Sequence, residues 1–182
     1  MARLRPAAVL LLLCLAAAGQ RGSEPSARFT ARVQREVAHQ ILMLPYYGVF
    51  DVIGFKVQGY DVVLSGSVVN ASLKSDAEHA VKEIEGVEKV INHIEILPLS
   101  PMDDRLRRSL YGSIYGYPSL ERYGLAPSKP IRIIVKNGHV TLEGVVDSKA
   151  DRDVANIRAG AVPGVFSVTN HLAIQNSSPG KK

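Results

Sequence analysis

Thiols and tryptophan are nearly absent from this chain of 182 residues, which has one cysteine and no tryptophan. One cysteine cannot form an internal disulfide or a zinc site with several thiolate ligands, so both are excluded. The chain also lacks the Gly-x-Ser-x-Gly motif of hydrolases and a phosphate-binding loop. Hydrophobic residues nevertheless make up 46% of the sequence, which excludes a wholly disordered protein.

Long apolar runs are also missing, except for one near the amino terminus that extends from Ala7 to Ala18. Arg3 and Arg5 precede this run, and small alanines close it, as in a cleavable export signal. As a helix the run would be about 18 Å long, which is too short to cross a bilayer. The sequence therefore predicts a signal peptide over residues 1–22 and no transmembrane segment in the mature chain.

The single cysteine, Cys14, lies inside this apolar run. A lipoprotein signal needs a small residue just before the cysteine, and Leu13 stands there instead. We therefore expect Cys14 to be removed with the signal. Removing Arg3 and Arg5 lowers the formal net charge from +5 to +3, so a nucleic-acid partner is disfavoured.

The rest of the chain is one unit written twice. Val57 to Ile96 aligns without a gap with Val135 to Ile174, and about a dozen aligned positions are identical. Upstream, Val33 comes into register with Leu106 if the second copy carries about five extra residues before its first strand. We expect this insertion to be an ordinary loop.

Each copy has the pattern helix, strand, strand, helix, strand. In the first copy, apolar residues at helical spacing run from Val33 to Leu44, and Thr30 and Pro45 are the expected limits of that helix. Strands are predicted for Val52–Val57 and Val62–Val69. In the second copy, the dipeptide Asn137-Gly138 predicts a tight hairpin turn, since both residues tolerate positive φ.

The second helix and third strand of the first copy complete the unit. Asn70 or Ser72 caps the helix, and Gly86 ends it in the left-handed conformation. Its expected inner face consists of Ala77, Ala80, Val81 and Ile84. The pattern predicts an α+β fold of two tandem αββαβ two-layer sandwiches, each a three-stranded mixed sheet covered on one face by two helices.

The predicted organisation of the chain follows from the repeat. Each copy has only about 70 residues, where a single core is marginally stable, so we expect the copies to pack together. A short linker stiffened by Pro98 and Pro101 favours a fixed arrangement. The predicted segments are a signal peptide (1–22), a first domain (28–97), a linker (98–102), a second domain (103–175) and a flexible tail (176–182).

The spacing of the histidines and carboxylates gives little support for a metal site or a catalytic site. The five histidines show no His-x-x-x-His spacing, and the repeated pairs Asn92-His93 and Asn170-His171 lie at equivalent strand positions of separate copies. A metal site is therefore disfavoured, and no cofactor is expected. The acidic pairs Asp103-Asp104 and Asp151-Asp153 begin predicted helices, where negative charge offsets the helix dipole.

The most suggestive surface lies on the predicted helix from Met102 to Tyr117. Its expected core face consists of Leu106, Leu110, Ile114 and Tyr117. Arginines and tyrosines lie off that face or shortly after the helix, namely Arg107, Arg108, Tyr111, Tyr115, Arg122 and Tyr123. This mixture suits an anionic membrane surface, where tyrosine sits at headgroup level and arginine pairs with phosphate. Alternatively, the tyrosines pack on the neighbouring copy and the arginines are merely solvated.

The segments Val135–Val146 and Val162–Leu172 resemble the BON (bacterial OsmY and nodulation) domain. That family pairs a glycine after the second strand with a Gly-Val-x-x-Val-x-Asn segment that opens the third strand. Both features occur in both copies, which assigns a structural role to Gly66, Gly86, Gly144, Gly164, Asn92 and Asn170. The first copy departs from the pattern only at the hairpin turn, where Gly59-Tyr60-Asp61 replaces Asn-Gly.

The resemblance implies an exported, periplasmic envelope protein, similar to osmotically inducible proteins. Family members are thought to contact phospholipid surfaces or other envelope proteins, and the family has no shared catalytic residue. Two functions follow as expectations. The first is a non-enzymatic binding protein on anionic phospholipid surfaces, and the second is a protein-interaction or chaperone-like module acting on exported polypeptides.

Overall fold

The structure is a computed structural model and describes residues 25–126 and 128–175. The predicted signal peptide, with Cys14, and the predicted tail at 176–182 lie outside the described residues. The described part contains two consecutive copies of one fold, and the offset between them is the one that the sequence repeat predicts.

The first repeat is a three-stranded sheet with two helices. Its elements, in chain order, are α1 (Ala27–Leu42), β1 (Val52–Gln58), β2 (Asp61–Val68), α2 (Ala71–Lys82) and β3 (Lys89–Ile96). β2 is the central strand, antiparallel to β1 and parallel to β3. Val33, Val37 and Ile41 of α1 pack with α2 and the sheet in one buried core. This is the predicted mixed sheet covered by two helices.

The second repeat has the same topology and one additional helix. Its elements are α3 (Pro101–Tyr115), α4 (Glu121–Leu125), β4 (Ile131–Lys136), β5 (His139–Val146), α5 (Lys149–Gly160), β6 (Ser167–Asn170) and β7 (Ala173–Ile174). β5 is central and antiparallel to β4. β6 and β7 both pair parallel with β5 and together occupy the place of β3. The predicted loop insertion is wrong in one respect, because part of it forms α4.

Side-chain caps set the beginnings of the long helices. α1 begins earlier than predicted, because the Ser26 hydroxyl and not Thr30 accepts a hydrogen bond from the Phe29 amide, at 3.2 Å. Asn70 caps α2 by accepting from the Ser72 amide at 3.0 Å. Ser100 caps α3, with Pro101 in its first turn. Two residues of the predicted linker are therefore helical.

The hairpin between β4 and β5 is held by a buried carboxylate. Asn137 and Gly138 have φ values of 52° and 79°, as the Asn-Gly dipeptide predicts. The side chain of Asp103, 1% exposed, accepts hydrogen bonds from the amides of Asn137 and Gly138 at 2.8 and 2.9 Å. This aspartate therefore joins the first turn of α3 to the hairpin, besides facing the helix dipole.

The two repeats contact each other through the α1–β1 loop (residues 43–51). Val49 and Phe50 pack against the core of the second repeat. The Val49 carbonyl accepts a hydrogen bond from the Ile133 amide on β4. A buried aspartate pins the loop, since the Asp51 carboxylate accepts from the amides of Gly48 and Val69 at 2.9 and 2.8 Å. The loop is thus part of both repeats.

Candidate functional site

Helix α3 positions the arginines and tyrosines that the sequence singled out. Leu106, Leu110 and Ile114 are buried in the second core, as predicted. Tyr117 is not buried as expected; it is 37% exposed, because α3 ends at Tyr115 and the chain turns at Gly116. The core face of α3 fixes which of its remaining side chains reach the surface.

Arg107 does not lie on the surface as the helical wheel predicts. It is 3% exposed, and its guanidinium donates to the Val135 carbonyl at 2.7 Å and pairs with Asp104 at 2.5 Å. Its Nε has no hydrogen-bond partner among the described residues. Because Arg107 is enclosed between α3 and β4, it fastens the helix to the sheet and cannot reach a membrane surface.

Tyr115 is also buried, against the expectation from the sequence. Its hydroxyl donates to the Ile131 carbonyl at the start of β4. Burial raises the pKa of Tyr115, although this hydrogen bond and the charge of Arg132 partly counter that effect. The ring of Tyr115 lies against that of Tyr111, with centroids 4.9 Å apart. The buried ring of Tyr115 therefore packs against the exposed ring of Tyr111.

Arg122 and Tyr123, on the unpredicted helix α4, form a network with α5. Tyr123 is buried, and its hydroxyl donates to the Asp151 carboxylate at 3.1 Å. Arg122 is half-exposed and pairs with Asp151 at 2.7 Å and with Asp147 at 3.2 Å. These two side chains are occupied by carboxylates of their own chain, so they hold α4 to α5.

Asp151 is the buried centre of this network. Burial alone would raise its pKa, but hydrogen bonds from Ser148 and Tyr123 and the charge of Arg122 outweigh burial. The pKa of Asp151 therefore lies below its ordinary value. The carboxylate stays ionised at neutral pH and acts as a structural anchor.

Only Arg108 and Tyr111 of the predicted set remain free at the surface. Together with Val49 and Phe50 they line an open cleft. The Phe50 and Tyr111 rings meet edge to face with centroids 6.4 Å apart. Arg108 is exposed and makes no hydrogen bond or ion pair within the described part of the chain. The cleft combines aromatic walls with one unneutralised cation.

Sequence reasoning missed Arg105, which is also exposed on α3. It stands three residues before Arg108, so the two guanidinium groups share one face of the helix. The signal was present in the i, i+3 spacing of the two arginines. We define the α3 face as Arg105, Arg108 and Tyr111.

The glycines of the repeat occupy places where a side chain would collide with backbone. Gly66 and Gly144 have φ values of 120° and 121°. A Cβ on Gly66 would lie 2.1 Å from the Val52 carbonyl oxygen, and one on Gly144 would lie 1.9 Å from that of Pro130. The central strand thus approaches its antiparallel neighbour too closely for any other residue.

Gly86 and Gly164 also have positive φ, at 85° and 93°. A Cβ on Gly86 would lie 2.5 Å from the Phe29 ring, and one on Gly164 would lie 3.3 Å from Leu106. The turn after the second helix therefore passes directly over the first helix in each repeat. A side chain at either position would be strained by the positive φ, and at Gly86 it would also collide with a neighbouring ring.

Asn92 and Asn170 make the same pair of hydrogen bonds in the two repeats. Each amide nitrogen donates to a helix carbonyl, that of Lys74 at 2.8 Å and that of Arg152 at 2.9 Å. Each side-chain oxygen accepts from the amide two residues later, at 3.1 Å in both repeats. The asparagines therefore join the third strand to the second helix.

The histidines that follow these asparagines point elsewhere. His171 contacts the Glu143 carboxylate at 2.7 Å. His139, at the start of β5 and not beside either asparagine, contacts the Ser167 hydroxyl at 2.7 Å. Within residues 25–126 and 128–175, no group of three or more His, Cys, Asp or Glu side chains is arranged to hold a metal ion. The helices described for these residues include none that is long and apolar enough to span a bilayer.

The repeated glycines and asparagines lead to a family. Residues 30–98 and 119–176 match the BON domain, so the match covers more than half of the chain and falls once on each repeat. The chain belongs to the BON domain family. The BON fold accounts for the two sheets and their helices, and the family residues in both copies serve the backbone geometry described above.

Two further comparisons found proteins with some similarity to the chain. The Osmotically-inducible protein Y of Escherichia coli (strain K12) is 31% identical over 122 residues, which are 61% of this chain and 56% of the relative. The chain therefore spans just over half the length of that relative. The C-terminal domain of CdsD, the structural protein of the Type III secretion system of Chlamydia trachomatis, is 13% identical. That likeness covers 77% of this chain and 96% of the other, with a TM-score of 0.31.

Proposed function

We propose that this BON protein is a non-enzymatic envelope protein that contacts anionic phospholipid surfaces through the α3 face. The observation that carries the proposal is the cleft of Val49, Phe50, Arg108 and Tyr111. It offers aromatic and aliphatic surface beside a cation that no described carboxylate neutralises. A tyrosine at headgroup level next to an arginine that pairs with phosphate suits the bilayer interface.

We further propose that the chain acts in the periplasm. The charged and apolar pattern of residues 1–22 supports export through a cleavable signal. Similarity to an osmotically inducible protein supports a role in the envelope under osmotic stress. This role requires no catalytic group, because adhesion to a surface needs only apolar area and charge.

The energetic scale of such contact is modest. Each basic side chain near an anionic membrane contributes about 1 kcal/mol, and the effect is screened within a Debye length. Neutralising both Arg105 and Arg108 would remove about 2 kcal/mol of attraction, which corresponds to about a 30-fold change in partitioning, and reversing their charge adds repulsion to that loss. An effect of this size is measurable.

The test is cosedimentation of the chain with vesicles of phosphatidylcholine, with and without phosphatidylglycerol. We expect retention only on the vesicles that contain phosphatidylglycerol, with weaker retention at high salt. The Arg105→Glu/Arg108→Glu variant should lose most of this retention. The matched control is Arg28→Glu/Arg35→Glu, which makes the same change in net charge at two exposed positions of α1.

The alternative function is the binding of exported polypeptides. The exposed apolar strand residues Ile96, Val145 and Ile174 support binding of exported polypeptides. Binding of an unfolded client protein without any retention on anionic vesicles would favour this function. Equal loss of retention in the α3 and α1 variants would indicate a general charge effect and would contradict a localised α3 surface.

A further inference from the structure

Large apolar side chains project from the first repeat where α1 passes into the α1–β1 loop. Leu42, Met43 and Tyr46 are 56%, 67% and 81% exposed, and we call these three residues the apolar tip. Tyr46 has a φ of 66°, in the left-handed region that tyrosine rarely adopts. The backbone is therefore held in an unfavourable conformation at the most exposed of these three residues.

The turn itself does not require these side chains. In the second repeat the corresponding turn follows α3, and the residues aligned with Met43 and Tyr46 are Gly116 and Ser119. The two turns share a backbone hydrogen bond, from the Tyr47 amide to the Leu44 carbonyl and from the Leu120 amide to the Tyr117 carbonyl. The second turn nevertheless has no large apolar group at these two positions, and Ser119 does not share the positive φ of Tyr46. The apolar tip is thus an addition to the first repeat and not a demand of the BON fold.

The tip stands on a fixed base. The Tyr47 hydroxyl accepts from the Ile53 amide at 3.2 Å, and the Asp51 carboxylate holds Gly48 from the other side of the loop. The Arg132 guanidinium of the second repeat lies 4.5 Å from the centre of the Tyr47 ring and donates to the Gly48 carbonyl. Because both repeats hold the loop, the orientation of the tip is tied to that of the second repeat.

The tip and the α3 face adjoin two clefts that share a residue. One cleft extends from Leu42 through Gly48 and Val49 to Lys129 and Arg132 of the second repeat. The other is the cleft of the α3 face, and Val49 lines both. The charged side chains lining the two clefts, among the residues described, are Lys129, Arg132 and Arg108, and all of them are cationic.

We propose that the membrane-contact surface is composite, with the apolar tip of the first repeat entering the bilayer interface while Arg108 and Lys129 of the second repeat pair with lipid phosphates. This inference rests on the proposed function and extends it to the other repeat. The occupant is an anionic bilayer, since the cationic clefts complement its charge and the flanking apolar side chains match its interfacial region. The tip belongs to the first repeat, and the two cations belong to the second.

The absence of tryptophan from the sequence provides a direct probe. Tyr46→Trp introduces a single tryptophan at the tip, whose emission can be excited apart from that of the tyrosines. Phe166→Trp places one at a position that is 70% exposed in the second repeat, outside the two clefts. With vesicles containing phosphatidylglycerol, we expect a blue shift for the first variant and quenching by lipids brominated in the acyl chain. The Phe166→Trp variant should show neither effect.

Loss of the tip gives a second measurement on the full chain. We expect Leu42→Ser/Met43→Ser/Tyr46→Ser to weaken vesicle binding by about tenfold or more, since apolar insertion contributes alongside charge. The matched control removes three other exposed apolar side chains by Leu99→Ser/Ile157→Ser/Phe166→Ser and should bind as the parent does. Circular dichroism and thermal melting check that both variants are folded.

The outcomes separate this inference from the function on which it rests. If the parent chain binds anionic vesicles but Tyr46→Trp shows no shift and the tip variant binds unchanged, the composite surface is overturned and the α3 face stands. If the parent chain does not bind, the proposed function fails and the inference fails with it. If the tip variant instead converts a dimer to a monomer with vesicle binding unchanged, a second copy occupies the tip and the inference is overturned.

Discussion

The Val49 carbonyl oxygen of the first repeat lies 2.9 Å from the Ile133 amide nitrogen of the second. Val49 thereby hydrogen-bonds to β4, an edge strand whose other side pairs with β5. Phe50 follows directly and packs against the second core. The repeats are therefore joined by backbone and side chain as well as by the covalent linker.

Phe50→Ala tests this junction. The ring packs on Tyr111 and on the second core, so we expect its loss to lower the free energy of unfolding by about 2 kcal/mol. Denaturant unfolding followed by circular dichroism measures the change. Phe166→Ala removes a ring that is 70% exposed and should change stability by no more than about 0.5 kcal/mol. Equal effects of the two substitutions would show that Phe50 does not join the repeats.

Gly144→Ala should be severely destabilising. The new Cβ would lie 1.9 Å from the Pro130 carbonyl oxygen at a φ of 121°, so β4 and β5 must separate. We expect a loss of at least about 2 kcal/mol, measured by thermal or chemical unfolding. Gly112→Ala is the control, because nothing lies within 4 Å of a Cβ there. Within a helix it should stabilise by up to about 1 kcal/mol. A mild effect at Gly144 would contradict the close approach of the strands.

Asn92→Ala and Asn170→Ala should both be destabilising, because each removes the same two hydrogen bonds. Asn92 also donates to the Glu78 carboxylate at 3.1 Å, so its loss should cost somewhat more. A helix carbonyl and a strand amide lose their partner in each case, so we expect about 1–3 kcal/mol per substitution. Chemical denaturation of the two variants provides the comparison. Asn156→Ala changes an exposed asparagine on α5 and should have little effect. A large cost in one repeat only would mean that the two copies do not share this function of asparagine.

Arg107 and Arg108 are adjacent and should behave oppositely. Arg107→Met removes the buried guanidinium that bonds to Val135, so we expect a loss of about 2 kcal/mol in stability. Arg108→Met should leave stability within about 0.5 kcal/mol and lower retention on anionic vesicles. Thermal melting and cosedimentation on both variants measure the two effects. The assigned roles would be reversed if a folded Arg107→Met protein bound vesicles less well while Arg108→Met bound them as the parent does.

Acid should weaken the network around Asp151. A carboxyl whose pKa is lower in the folded chain than in the unfolded one stabilises the fold above its unfolded pKa, which is about 3.9. That contribution is lost as the pH falls through the folded pKa. Asp151→Asn should therefore melt below the parent at neutral pH, and the difference in Tm should shrink below about pH 4. Asp153→Asn, at a more exposed carboxylate, is the control. A Tm difference independent of pH would show that the charge of Asp151 is not what stabilises the network.

Features that depend on local backbone chemistry were predictable from the sequence. The Asn137-Gly138 turn follows from two residues that tolerate positive φ, and the core face of α3 follows from Leu106, Leu110 and Ile114 at helical spacing. The repeat supplied the topology, since a pattern seen twice constrains both copies. In these parts of the fold the prediction agrees with the structure, because local backbone preference and core packing favour the same conformation.

The candidate site was less predictable because neighbouring elements decide which side chains are exposed. A helical wheel places Arg107 and Tyr115 outside the core face, but β4 covers that side of α3 with the carbonyls of Val135 and Ile131. Helix α4 has five residues, too few to show an apolar period. The exposed apolar tip also escaped notice, because Leu42 and Met43 continue the apolar pattern of α1 in the sequence alone.

The packing of Val49 and Phe50 on the second core affects where a fragment that contains the second repeat can begin. A fragment that begins at the linker lacks Val49 and Phe50, and it leaves the Ile133 amide and the Arg132 guanidinium without the loop carbonyls that they bond to. The minimal unit that carries the second repeat intact must therefore include residues 43–51. Recombination that exchanges whole BON domains between proteins would have to preserve this loop or replace its contacts.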